Sequence, residues 1–148
     1  MNLAINKPHH FFFLFVLLIL VFSQYKPKET FDVNIGDTYY VILNSHLGII
    51  LSVFYFLAGL IHFFLDKKGI HLNNWITYTH TILTIGGLIL IWLLLKRINH
   101  NPTKNLEELL KSIKINQYLT YTCITTLFSM VMSQIVFVIS LFLKIIKN

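Results

Sequence analysis

Hydrophobic residues along this chain fall into four runs separated by short polar stretches. Three of them, Tyr39 to Leu65, Trp75 to Leu95 and Tyr118 to Leu143, meet the length of ~20 residues that a helix needs to cross about 30 Å of hydrocarbon. The fourth, Phe11 to Phe22, is shorter. It follows Lys7 as the apolar region of a signal peptide would, but Ser23, Gln24 and Tyr25 lack a small-x-small cleavage pattern. We read it as an uncleaved anchor helix. The pattern predicts an all-α integral membrane four-helix bundle, a single transmembrane domain over residues 1–148 with spans near 10–25, 39–65, 75–95 and 118–143.

The polar stretches refine this picture. Lys26 to Gly36, with Pro27, Glu29 and Asp32, is expected to be a connector in water, and Asp37 to cap the second helix by accepting from its first backbone N–H groups. Asp66 to Asn74 is short enough to make spans two and three an antiparallel hairpin. Between Lys96 and Gln117, the run Asn105 to Glu108 reads as a capping box. Leu106, Leu109, Leu110 and Ile113 share one face there, and Glu107 pairs with Lys111 at i,i+4. This predicts a short amphipathic helix at the membrane interface ahead of the last span. Small residues mark points of close helix approach: Gly48, Ser52, Ala58 and Gly59, then Gly86 and Gly87, then a stripe of Thr122, Thr125, Ser129 and Ser133 beside Gln134.

Composition agrees, with 55% hydrophobic and 12% charged residues against about 25% charged in soluble proteins. The net charge of +6 would suit nucleic acid in a soluble protein. Here the lysines cluster at span ends, so membrane lipids and no nucleic acid are the expected partners. Cys123 is the sole cysteine, which excludes an intramolecular disulfide and any Cys-x-x-Cys motif.

Ionisable side chains are costly in hydrocarbon and mark candidate sites. Asp37, Thr38, Tyr39, Tyr40 and Val41, followed by His46, form such a group. This stretch resembles the start of the tenth transmembrane helix of haem-copper oxidase subunit I, the cytochrome c oxidase subunit I family, where Asp-Thr-Tyr-Tyr-Val precedes a His-x-His pair. His80 and Gly87 are similar in spacing to that family's eleventh helix, and the likeness covers roughly residues 33–90. The resemblance implies that His46 stands at the low-spin haem ligand and Asn44 at the lost high-spin ligand. Gly36 replaces a histidine that helps to hold a magnesium or manganese ion, which leaves Asp37 as a lone metal candidate. No His-Pro-Glu-Val-Tyr or His-His pattern lies within the spans, so no copper is expected.

The resemblance thus implies a short, truncated relative, an accessory or vestigial respiratory-chain component of the bacterial inner membrane. Haem is its candidate cofactor, and other respiratory subunits or a second copy are its candidate partners. It is not expected to reduce oxygen by itself, because both copper and high-spin haem ligands are missing.

Two alternatives stand beside it. In a hairpin centred near residue 71, His62 and His80 lie at equal depth, and they could form the axial pair of a b-type haem electron carrier. Lone intramembrane histidines also serve as hydrogen bonders between helices, which suits a cofactor-free structural or assembly protein.

Overall fold

The computed structural model describes residues 7–35, 37–98 and 106–146. Four helices carry the fold: α1 Pro8–Tyr25, α2 Asn44–Lys67, α3 Asn74–Leu95 and α4 Leu106–Ile146. All four are long and apolar enough to cross a membrane, as an integral membrane protein requires. Between α1 and α2 stand two strands, β1 Thr30–Ile35 and β2 Thr38–Leu43. Contacts group the chain into two compact units, residues 1–71 and residues 72–148.

In the first unit α1 starts with a proline in its first turn, where the missing N–H costs nothing. It ends at Tyr25, just ahead of Pro27, which cannot continue a helix. Across the turn that follows, Lys26 bonds Glu29, which holds the lysine ammonium above its ordinary pKa. The expected connector and the expected start of the second helix are then replaced by a β-hairpin. Thr30 pairs with Leu43 and Ile35 with Thr38 in antiparallel register, and Asn44 N–H donates to the Glu29 carbonyl at 2.9 Å. Asp37 is therefore a turn residue and not a helix cap. The cap position of α2 is Leu43, which makes no side-chain cap bond.

Two physical facts favour the strand. Thr38 to Leu43 is a run of β-branched and aromatic side chains followed by leucine, which fit a pleated surface. The 24 residues of α2 also span ~36 Å without it, at about 1.5 Å per residue, which is enough for the hydrocarbon.

α2 packs antiparallel on α1 through a buried face of Gly48, Ser52, Tyr55, Gly59, His62 and Leu65. A side chain at Gly48 would collide with Ser23, and one at Gly59 would come within 2.9 Å of Phe13 and 3.1 Å of Phe12. Both glycines are thus close-approach points, as their type predicts. The helix ends in a Schellman motif: Gly69 at φ +65° donates to the Asp66 carbonyl and Ile70 donates to that of Leu65.

The second unit is the antiparallel pair α3 and α4. Asn73 caps α3, its side chain accepting from Trp75 N–H at 3.1 Å. The contacts His80–Phe137, Thr84–Gln134 and Gly87–Met130 set the register. Of the two adjacent glycines only Gly87 meets its neighbour, while Gly86 has nothing within 4 Å of its Cβ position.

α4 departs from the expected short helix followed by a span. The amphipathic segment is helical, but it is continuous with the span as one helix of 41 residues. Neither proline nor glycine occurs between Leu106 and Ile146, so nothing interrupts the hydrogen-bond ladder. Asn105 of the expected capping box lies outside the described residues. The hydroxyl stripe meets the seam only in its later part. α4 buries Cys123, Ser133 and Phe137 against α3, whereas Thr122 and Thr125 are exposed.

Candidate functional site

The most organised polar group in the described residues lies within the α3–α4 pair. His80 is 1% exposed. Its Nε2 lies 2.8 Å from Gln134 Oε1, and Gln134 Nε2 donates to Thr84 Oγ1, also at 2.8 Å. With the amide in this orientation its oxygen can only accept, so His80 carries its proton on Nε2. Below the network the imidazole stacks on Phe137, with centroids 4.2 Å apart and planes 17° apart. The helical spacing of His80 and Thr84 places both on the α3 face that meets α4, and Gln134 answers both from the other helix. Such bonds between helices replace the water that hydrocarbon cannot supply.

His62 holds a comparable place in the first unit. It is 4% exposed and stacks on Phe12 of α1, with centroids 5.3 Å apart and planes 17° apart. His62 and His80 therefore belong to different units, and each ring is packed on a phenylalanine of its own helix partner. An axial ligand needs a nitrogen open to iron and a free edge toward a porphyrin. At His80 the Nε2 is engaged by Gln134 and one ring face by Phe137, a geometry that does not fit a haem ligand.

The remaining candidates are separate. His46 is exposed in the first turn of α2. Asn44 donates from Nδ2 to the Lys26 carbonyl at 3.4 Å, a long bond that joins the helix start to the end of α1. Asp37 is exposed in the hairpin turn, and no three His, Cys, Asp or Glu side chains among the described residues are grouped to hold a metal ion. His9 lies buried against the edge of Phe63, 5.6 Å between centroids, and its Nδ1 has no partner.

Gln134 and Thr84 are the site residues that sequence reading leaves unassigned. The signal is present in part, since a glutamine inside an apolar span needs a partner. Which helix supplies that partner depends on the α3–α4 register. No family model, no curated protein and no solved structure matches the chain.

Proposed function

We propose that the protein is a haem-free integral membrane protein of the structural or assembly type, acting through the outer faces of two helix pairs. The observation that carries this reading is the engagement of His80, Gln134, Thr84 and His62 within their own helix pairs. His80, Gln134 and Thr84 hold α3 to α4, and His62 is packed on α1. Large side chains such as Phe54, Ile82, Phe128 and Phe142 remain exposed along the helices, available to lipid or to other membrane helices. Its partners on this reading are lipids, other membrane subunits or a second copy.

A second reading retains the likeness to the oxidase subunit. His46 is exposed and could serve a haem shared with a partner, which would make the chain an accessory respiratory component of the bacterial inner membrane.

A reduced-minus-oxidised absorption spectrum of the purified protein, expressed with haem supplied, separates the two. The haem-free reading expects no Soret or low-spin bands. Bands abolished by His46→Ala would overturn it in favour of the second. In the same preparation Gln134→Leu should lower stability by about 1–3 kcal/mol, because it strands the His80 N–H in the helix seam. An unchanged melting curve would remove the network from its assigned role.

A further inference from the structure

A stripe of side chains recurs every three or four residues along the whole of α4. Leu110, Gln117, Ile124, Val131, Val138 and Ile145 stand seven apart, and so do Leu106, Ile113, Thr120, Leu127, Gln134 and Leu141. These are the a and d positions of a heptad repeat. None is charged, and Glu107, Glu108, Lys111 and Lys114 all lie beside the stripe. The seam with α3 runs elsewhere on the helix, through Cys123, Ser133 and Phe137, and of the stripe residues Gln134 turns to it by bonding His80 and Thr84.

Within the membrane, lipid covers such a stripe as well as protein does. The segment from Leu106 to Thr120 differs. At about 1.5 Å per residue the 41 residues of α4 reach twice the ~30 Å of hydrocarbon, and the charged residues gather at this end, which places it in water. Leu106, Leu110 and Ile113 are nevertheless 71%, 54% and 45% exposed. No proline or glycine bends α4, so the segment continues the line of the span instead of lying flat on the membrane surface. Acyl chains do not reach it there, and a contiguous aliphatic stripe in water marks a protein contact.

Residue types along the stripe specify the partner. β-branched side chains fill four of the six a positions and leucine three of the six d positions, the combination that favours two parallel strands. Gln117 is the one polar residue in the a column. Between two copies in register its amide can donate to and accept from its equivalent, which fixes the alignment. Copies inserted in one orientation bring their α4 helices together parallel, about a two-fold axis along the membrane normal. With the flanking column that runs from Glu107 to Phe142, each copy offers about 18 residues, close to the ~20–30 a side of a stable interface.

We propose that α4 pairs with α4 of a second copy as a parallel coiled coil, which covers Leu106, Leu110 and Ile113 outside the membrane and runs on into the span. This rests on the reading that the outer helix faces are the working surfaces, and it names the partner of one of them.

Disulfide crosslinking of the full-length protein in proteoliposomes at low protein-to-lipid ratio tests the pairing, with single cysteines in a Cys123→Ser background. Leu110→Cys, Ile113→Cys and Ile124→Cys should form dimers at least about five-fold faster than Lys111→Cys and Ile115→Cys, which lie on other sides of the helix. Adding Leu110→Asp to Ile124→Cys should slow its crosslinking about ten-fold, the loss expected when one leucine leaves the interface. Leu110 is exposed within one copy, so the change leaves the fold of the single chain intact, and helix content by circular dichroism checks this. Equal rates on and off the stripe would mean random collision and would overturn the proposal. So would an unchanged rate with Leu110→Asp, or stripe cysteines that form no dimers, which would leave the stripe to lipid or to the chain's own helices. These outcomes leave the haem-free reading standing, because the absorption spectrum decides it separately.

Discussion

Adjacent glycines on α3 show how much one position along a helix decides. Gly87 faces α4, where a Cβ would stand 2.7 Å from Met130 Cγ and 2.6 Å from its sulfur, while Gly86 faces open space. Gly87→Ala should therefore destabilise the pair by about 1–3 kcal/mol, the usual penalty of overpacking, eased to the extent that the methionine can move. Gly86→Ala should be neutral or gain up to ~1 kcal/mol, since alanine is the better helix former and meets no neighbour. Thermal unfolding of the two variants in one detergent checks the contrast, and equal losses would refute this seam. The sequence marks the Gly-Gly dipeptide as a packing point without revealing which member makes the contact. That choice depends on helix rotation, a property of the pair and not of either residue. His80 follows the same rule. Its intramembrane position announces a need for a partner, while Gln134 is identified only once the two helices are in register.

At the level of elements, the helices were legible because lipid imposes a minimum length that four apolar runs satisfy or approach. The hairpin was not legible, since the apolar run from Tyr39 merges into the membrane span without a polar break. A local signal existed: two β-prone stretches of six residues separated by Gly36 and Asp37, a dipeptide known from two-residue hairpins. The bond from Asn44 N–H to Glu29 fixes the alternation of the ladder, so Tyr40 N–H points toward β1 and Val41 N–H away from it. Tyr40→Pro should open the hairpin, and Val41→Pro should do so less, because only the first removes a ladder bond. Hydrogen exchange at Val33 and Ile42 reads the outcome. Equal protection in both variants would contradict the strand and restore a helix beginning near Tyr39. In the oxidase subunit that this stretch resembles, the matching residues open a helix. Here the Asp-Thr-Tyr-Tyr-Val stretch is strand and turn, and the helix begins only at Asn44, so that Asn44, Ser45 and His46 form its first turn.

The whole molecule is dominated by the length of α4. Its 41 residues reach ~61 Å at about 1.5 Å per residue, twice the hydrocarbon thickness of ~30 Å. Continuing the α3–α4 register from His80–Phe137 and Gly87–Met130 brings Leu95 level with Thr122 and Cys123. The helix from Leu106 to Tyr121 then runs about 24 Å past the end of its partner. Its composition changes at the same point. Glu107, Glu108, Lys111 and Lys114 all lie in the extension, and the next charged residue of α4 is Lys144. A charged side chain costs several kcal/mol by approximate insertion scales at the centre of a bilayer, so the extension must leave the hydrocarbon even though the helix does not break. Cysteine labelling in a Cys123→Ser background tests this. Lys111→Cys should react with a membrane-impermeant maleimide in proteoliposomes, once the side it faces is exposed to reagent, and Leu127→Cys should remain unreactive from either side. Reaction at both positions would place the span elsewhere on α4. Protection of Lys111 that detergent relieves would show instead that the amphipathic segment lies against the membrane, as the separate interfacial helix expected from sequence would do.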